Sequence, residues 1–440
     1  MSKVQVIYAD RKYDAEDRLG QFLDTSDFDV MVDQDTDLYG PSIDGAKTED
    51  NVIAKFRKNW FTAEEQQLAY DGLREAAVES QNRGMAAGPR GEILGASGRG
   101  GREWVTPYQM DVLAFLLRPL NQLDSSETLD TIKALHAGKK VDDTRGLVWK
   151  IARIREDKPE YYGWFDVWLN EVKDKTREEQ MAEAQFVKDN YISETNYAQS
   201  VMSGVAGYFG RYPRIPWGRI TSYTEKNPEA FAKSFPFLNK LDAGFRELLP
   251  ERWAKQRAAA DKLDPRFVID KTVFTTLTVN HNWRTAAHYD AGDLDTGFSN
   301  LTAVTNQGKG WKGGALILPQ YRVAVNLRHG DLLLVANHTA IHGNLPLEGG
   351  EEDDRLSLVA YFREDMLQLK SFEYEQLRRQ FVYENSKNKN HPYYRPLFNG
   401  VYPGMWESKE WAEYLKAHDM VDEDGKVSTE NVAGLEDFFL

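Results

Sequence analysis

Residues 280–293 read NHNWRTAAHYDAGD. Inside this stretch His288 and Asp290 are separated by a single residue. In an extended strand, positions i and i+2 project from the same face. One strand can therefore offer an imidazole and a carboxylate to the same metal ion. A histidine from a neighbouring strand would complete a set of two imidazoles and one carboxylate. That set leaves three coordination positions open, an arrangement suited to Fe(II) that must hold both a chelating cosubstrate and O2.

The sequence around the stretch supports strands. From Pro265 onward the apolar period shortens to two, in runs near 267–280, 314–319, 321–327, 331–336 and 355–362, punctuated by Gly and Pro. Short strands at that spacing indicate a β-sandwich or barrel. Five of the eight histidines (281, 288, 329, 338 and 342) fall in this region. His342 is preferred over His338 as the distal ligand, because His342-Gly343-Asn344 precedes the turn into the Arg355 strand. His281 and His329 read as structural or exposed. Arg355 opens the last strand and Ser357 follows at i+2 on the same face. A guanidinium fork with a hydroxyl beside it can hold a carboxylate. Those groups suit the distal carboxylate of 2-oxoglutarate, whose 2-oxo acid end would chelate the iron. The acidic run Glu351 to Asp354 offers Arg355 a competing role in a surface ion pair.

The segments GRITSY (218–223), NHNWRTAAHYDAGD (280–293), GGALILP (313–319), HGDLLL (329–334), HGN (342–344) and RLSLVAY (355–361) occur in this order. Together, over roughly residues 200 to 366, they resemble the TET/J-binding-protein branch of the Fe(II)/2-oxoglutarate dioxygenases, in its phage and bacterial form. The resemblance implies an α+β chain with a double-stranded β-helix (jelly-roll) core. It also implies oxidation of the 5-methyl group of a pyrimidine in DNA, with Fe(II), 2-oxoglutarate and O2. Carried over by position, His288, Asp290 and His342 bind iron, and Arg355 and Ser357 bind 2-oxoglutarate. Arg219 reaches the other end of that cosubstrate. Tyr361 stacks on the flipped base, and Asp293 and Arg363 lie near its edge. An ionised aspartate only accepts hydrogen bonds, so Asp293 favours the N4 amino group of 5-methylcytosine over the O4 of thymine. Thymine remains the alternative base. A protein or small-molecule substrate, and a non-catalytic jelly-roll binding protein, are the other readings. The carboxylate ligand argues against halogenation, since iron halogenases lack it.

Outside this core the chain divides into a mostly helical region 1–195 and an extension 367–440, flanking a core at 196–366. Val4 to Tyr8 reads as a strand, and Asp24 to Asp50 as loop. Thr62 and Glu65 form a capping box for a helix. Residues 82–103 hold seven glycines together with Arg83, Arg90, Arg99 and Arg102. Such a loop is a candidate wrap for a DNA backbone, with Arg99 and Arg102 as the contacts. A further helical stretch spans about 228–260.

Composition narrows the classes. The 440 residues contain no cysteine, which excludes disulfides, thiolate zinc sites and cysteine nucleophiles. The cysteine-rich zinc region of animal relatives therefore has no counterpart. A net charge of −14 (55 basic, 69 acidic) argues against broad coating of nucleic acid and leaves only local contact. No apolar run approaches the ~20 residues of a membrane span. The chain reads as soluble, intracellular and cytoplasmic, with its oligomeric state open.

Overall fold

The computed structural model describes residues 3–42, 46–80, 83–88, 201–211, 215–290, 292–307, 309–387 and 405–420. The strands in chain order are β1 (Gln5–Tyr8), β2 (Val30–Val32), β3 (Thr36–Tyr39), β4 (Val52–Arg57), β5 (Glu79–Ser80), β6 (Val201–Arg211) and β7 (Ile215–Ile220). They continue as β8 (Thr276–His281), β9 (Ser299–Val304), β10 (Leu316–Leu318), β11 (Val323–Val325), β12 (Leu332–Val335), β13 (Gly343–Asn344) and β14 (Leu356–Tyr361). The helices are α1 (Ala63–Leu73), α2 (Ser222–Lys226), α3 (Pro228–Lys233), α4 (Phe235–Leu248), α5 (Pro250–Ala260), α6 (Phe372–Lys387) and α7 (Lys409–Ala417).

The larger sheet runs β1-β3-β4-β12-β9-β14-β8-β6-β5, with β7 paired to β6. The smaller runs β13-β10-β11-β2. Between β8 and β14 the chain passes back and forth: β9 and β12 lie in the large sheet, β10, β11 and β13 in the small one. This interleaving, with β8, β14, β9 and β12 as antiparallel neighbours, is a double-stranded β-helix.

Alternation along each strand builds two cores. On β12, Leu333 and Val335 face the small sheet and pack with Leu316, Leu318, Val323 and Val325. Leu332 and Leu334 face the opposite way and meet Phe237, Leu238, Leu241 and Phe245 of α4. All four of these α4 residues are fully buried. Each such side chain contributes roughly 1.5–3 kcal/mol. β14 follows the same rule: Leu356, Leu358 and Ala360 join the helical side, and Val359 packs on the inner core. Arg355, Ser357 and Tyr361 thus share the inner face with Val359.

Several expectations need correction. In the described part of region 1–195, where helix was expected to dominate, lie the strands β1 to β5 and one α-helix, α1. Asp24 to Asp50, read as loop, carries β2 and β3, and β2 extends the small sheet beside β11. These strands are three and four residues long, too short for alternation to stand out. The stretch at 228–260 is three helices rather than one. Pro236 and Pro250 lie at the starts of α4 and α5, where the missing N–H is harmless but a continuous helix would break. The Thr62–Glu65 capping box is present, with Glu65 accepting the Thr62 N–H at 2.8 Å.

Two compact units are distinguished: residues 1–92, 197–210 and 218–369 form one, and 93–196, 211–217 and 370–440 the other. In the second, α6 and α7 enclose an aromatic cluster in which Trp411 meets Tyr374 edge-on at 5.6 Å and Phe381 at 5.2 Å. This is helix packing. Among the described residues, no helix is long and apolar enough to cross a membrane.

Candidate metal and cosubstrate site

The segment after β8 crosses to the small sheet and pairs with the chain around β13. His288 and His342 stand opposite each other in an antiparallel bridge. Each donates its backbone N–H to the other's carbonyl at 3.0 Å. Gly343 lets the two segments approach: a Cβ there would lie 3.1 Å from the backbone of Ala286 and Ala287. That contact gives the His-Gly-Asn string its physical reason.

The ligand atoms of His288, Asp290 and His342 lie within 4.8 Å of one another. Nε2 of His288 is 3.3 Å from one Asp290 oxygen, and Nε2 of His342 is 3.6 Å from the other. The remaining ring nitrogens are committed. Nδ1 of His288 lies 2.8 Å from the Ala286 carbonyl, and Nδ1 of His342 lies 3.0 Å from that of Ala340. Those bonds place the protons on Nδ1 and turn both Nε2 lone pairs toward Asp290. Burial and the neighbouring His288 hold the His342 imidazole down, at about 4. Burial opposes the charge on Asp290, yet His342, His288 and the Asn337 amide together hold it at about 2. The cluster thus presents a carboxylate and a neutral His342, the forms that coordinate metal. His342 is buried, whereas Asp290 keeps 27% of its side chain accessible, so access to the cluster is from the Asp290 side. This donor set fits Fe(II).

His338, the rival distal ligand, is turned away. Its Nε2 pairs with Asp295 at 2.7 Å. His281 bonds Asp354 at 3.0 Å, a structural role, and His329 is exposed.

Arg355 is 3% exposed. Its backbone is pinned by Asn282, whose side-chain oxygen accepts the Arg355 N–H at 2.7 Å. Its Nε is buried without a hydrogen-bond partner. The acidic run does not neutralise it. Asp353 accepts from the Lys312 and Gly349 backbone, and Asp354 from Asn306, Tyr70 and Thr305. The surface ion pair considered for Arg355 is therefore absent. Burial, with Arg328 adding its charge, pushes the guanidinium down to about 10. A buried guanidinium in this state calls for an anion. Ser357 lies two residues along the same face, opposite Asn280 of β8 and Ala303 of β9.

At the other end of β14, Tyr361 is buried and lines a small cleft together with Asp293, Ser299, Asn337 and His338. Asp293 stands opposite Arg363 in an antiparallel bridge. Its carboxylate accepts from the Ser299 hydroxyl at 2.8 Å. Burial, and then the charge of Asp290, push its carboxyl well above the usual range. A neutral carboxyl donates as well as accepts, so the acceptor-only argument for one base does not apply to that form. Arg363 donates to the Gly210 carbonyl at 2.6 Å and lies over the Phe209 ring at 4.4 Å. Arg219 approaches that same ring, at 5.1 Å. Arg99 and Arg102 lie outside the described residues.

The oxygenase domain of the 2OGFeDO superfamily, Tet/JBP type, matches residues 207–364. This segment is similar to a Tet/JBP oxygenase domain. The match takes in all three candidate metal ligands and Arg355. Similar proteins include thymine dioxygenase JBP1 of Leishmania braziliensis, 34% identical over 209 residues, which are 46% of this chain and 24% of that protein. Thymine dioxygenase JBP1 of Trypanosoma brucei brucei is 36% identical over 168 residues, 37% of this chain and 19% of that protein. The chain thus spans about a quarter or less of the length of these relatives. A solved structure of NgTET1 in complex with 5mC DNA aligns over 86% of this chain and 91% of that one, at 10% identity and a TM-score of 0.41.

Three further residues near the site lie in no sequence motif. Asn337 donates to the Asp290 carboxylate at 2.9 Å, and its carbonyl accepts the Asp290 N–H at 3.1 Å. In the sequence, its neighbour His338 is the nearest signal. Trp311 and Arg328 flank Arg355, but they sit in turns outside any motif.

Proposed function

We propose that this chain is an Fe(II)/2-oxoglutarate-dependent dioxygenase that hydroxylates the 5-methyl group of a pyrimidine in DNA. One observation carries the reading: the His288–Asp290–His342 cluster and the buried Arg355, its Nε without a partner, belong to one β-helix, within the segment similar to a Tet/JBP oxygenase domain. His288, Asp290 and His342 hold the iron. Arg355 and Ser357 hold the distal carboxylate of 2-oxoglutarate, with Arg219 assigned to its other end. When bound, the iron with 2-oxoglutarate and O2 supplies the oxidising chemistry that turns a methyl C–H into C–OH.

The chain's own residues bind and orient. Asn337 fixes the rotamer of Asp290. Tyr361 forms an aromatic wall, and Asp293 and Arg363 supply polar groups for a base edge. Tyr361 and Asp293 border a cleft at that end of β14. A base in a duplex must leave the stack to enter it, and stacking on Tyr361 offsets part of that cost. Arg99 and Arg102 are the proposed backbone contacts, which makes binding salt-sensitive. The intracellular location follows from such a substrate.

5-Methylcytosine is the first base, the one an ionised Asp293 would favour. Thymine is the second reading, favoured by the names of the relatives. Incubation with 5-methylcytosine DNA and with thymine-only DNA, followed by nucleoside mass spectrometry, tests both. The expected result is a gain of one oxygen on one of the two. Oxidation of a peptide or free nucleotide, with neither DNA changed, would overturn the DNA reading.

A further inference from the structure

Around Arg355 the structure gathers more positive charge and more idle donors than one arginine explains. The ring of Trp311 has two guanidinium neighbours, Arg355 at 6.0 Å and Arg328 at 5.9 Å. The Trp311 indole N–H is buried with no acceptor, as is Nε of Arg355. Among the described residues, no carboxylate lies within ion-pair distance of either guanidinium. Asp33, the acidic group that senses Arg328, is already held by Lys58 at 3.0 Å and by Asn326 at 3.1 Å.

The three side chains stand on braced backbone. Arg328 lies in the turn between β11 and β12, where Asp331 accepts its N–H at 2.9 Å and donates to its carbonyl at 3.0 Å. The loop carrying Trp311 is clamped by Asp353, which accepts the Lys312 N–H at 2.8 Å, and by the Asp354 N–H, bonded to the Gly310 carbonyl at 2.7 Å. Gly314 completes the wall: its φ is +72°, and a Cβ there would sit 3.6 Å from Arg355 Cδ and only 2.8 Å from Leu347. Two like charges held near one ring, beside donors without acceptors, form a preorganised anion site.

We infer that Arg328 and Trp311 belong with Arg355 to the pocket for the distal carboxylate of the cosubstrate, and that Arg328 makes this chain select a 2-oxo diacid over a 2-oxo monoacid. The inference rests on the function proposed above and deepens it. The second guanidinium adds attraction that only a ligand with a distal negative charge feels.

The test uses the full chain with Fe(II) under anaerobic conditions. Titration of the visible charge-transfer band measures the Kd of 2-oxoglutarate and, separately, of 2-oxobutyrate, which keeps the chelating end and lacks the distal carboxylate. Arg328→Ala is expected to weaken 2-oxoglutarate about tenfold and to leave 2-oxobutyrate unchanged. Arg328→Lys should restore most of the loss, and Trp311→Phe, which removes the N–H but keeps an aromatic ring, should weaken 2-oxoglutarate alone by a few-fold. Circular dichroism of each variant checks the fold. An unchanged Kd in Arg328→Ala, or equal losses for both ligands, overturns the inference. Arg355→Ala separates this from the parent reading: if that variant also binds 2-oxoglutarate like the wild type, the cosubstrate assignment itself is wrong.

Discussion

His288 and His342 are joined twice, by two backbone hydrogen bonds of 3.0 Å and by rings whose centroids are 4.3 Å apart. The candidate metal ligands are therefore positioned by sheet pairing rather than by side-chain reach. Their separation does not depend on the length of the 53 residues that follow His288 up to His342.

The Asn337 amide is the outer support of that cluster. Removing it with Asn337→Ala leaves one Asp290 oxygen without its donor. Loss of such a partner typically costs about 10–100-fold in metal affinity. Titration with Mn(II), followed by electron paramagnetic resonance, should show that loss with the three ligands intact. An unchanged affinity would remove Asn337 from the site.

Arg355→Met is expected to separate stability from binding. The guanidinium is buried without a carboxylate, so an apolar side chain of similar length leaves the cosubstrate-free protein as stable or more stable. Affinity for 2-oxoglutarate should fall by about 100-fold or more, the usual scale for losing one partner of a buried charge pair. Urea unfolding and anaerobic titration measure the two effects. A less stable variant would mean that Arg355 has a structural partner.

Stability should fall on mild acidification, in part through His281. Burial holds this imidazole below its ordinary value, against the pull of Asp354. As pH drops through about 6.5, the unfolded chain takes up a proton at His281 before the folded one does. The contribution is therefore complete above that pH and is lost as pH falls toward the folded value. Between pH 7.5 and 5 the wild type should lose more unfolding free energy than His281→Gln. Equal slopes for the two proteins would exclude His281 as a source of the pH dependence.

Leu333 sits between the sheets and is fully buried. Leu333→Ala opens a cavity and should cost about 2–5 kcal/mol. Thermal and denaturant unfolding of the variant measure this directly. A cost below ~1 kcal/mol would show that the sheets can close over the gap.

The residues readable in advance were those whose roles follow from local spacing. His288 and Asp290 share a strand face, Arg355 and Ser357 repeat the pattern, and both pairs lie in strings long enough to be specific. The less readable parts depend on distant pairing. β2 gains its place only by lying along β11, almost 300 residues later. Asp353 and Asp354 looked like solvent-facing charges beside an arginine. Instead, their carboxylates tie down loops, because backbone N–H groups with no other partner surround them. Pro236 and Pro250 divide an apolar repeat whose period alone runs on without a break.

β14 carries the proposed anchor for the cosubstrate at one end and the wall of the substrate cleft at the other. Arg355 and Tyr361 are six residues apart, about 20 Å along an extended strand. A rigid strand acts as a ruler between them. Exchange of Tyr361 or of the loop at 292–294 can retune which ring is admitted without moving the carboxylate anchor. The oxidising half of the site can thus stay constant while the choice of substrate drifts.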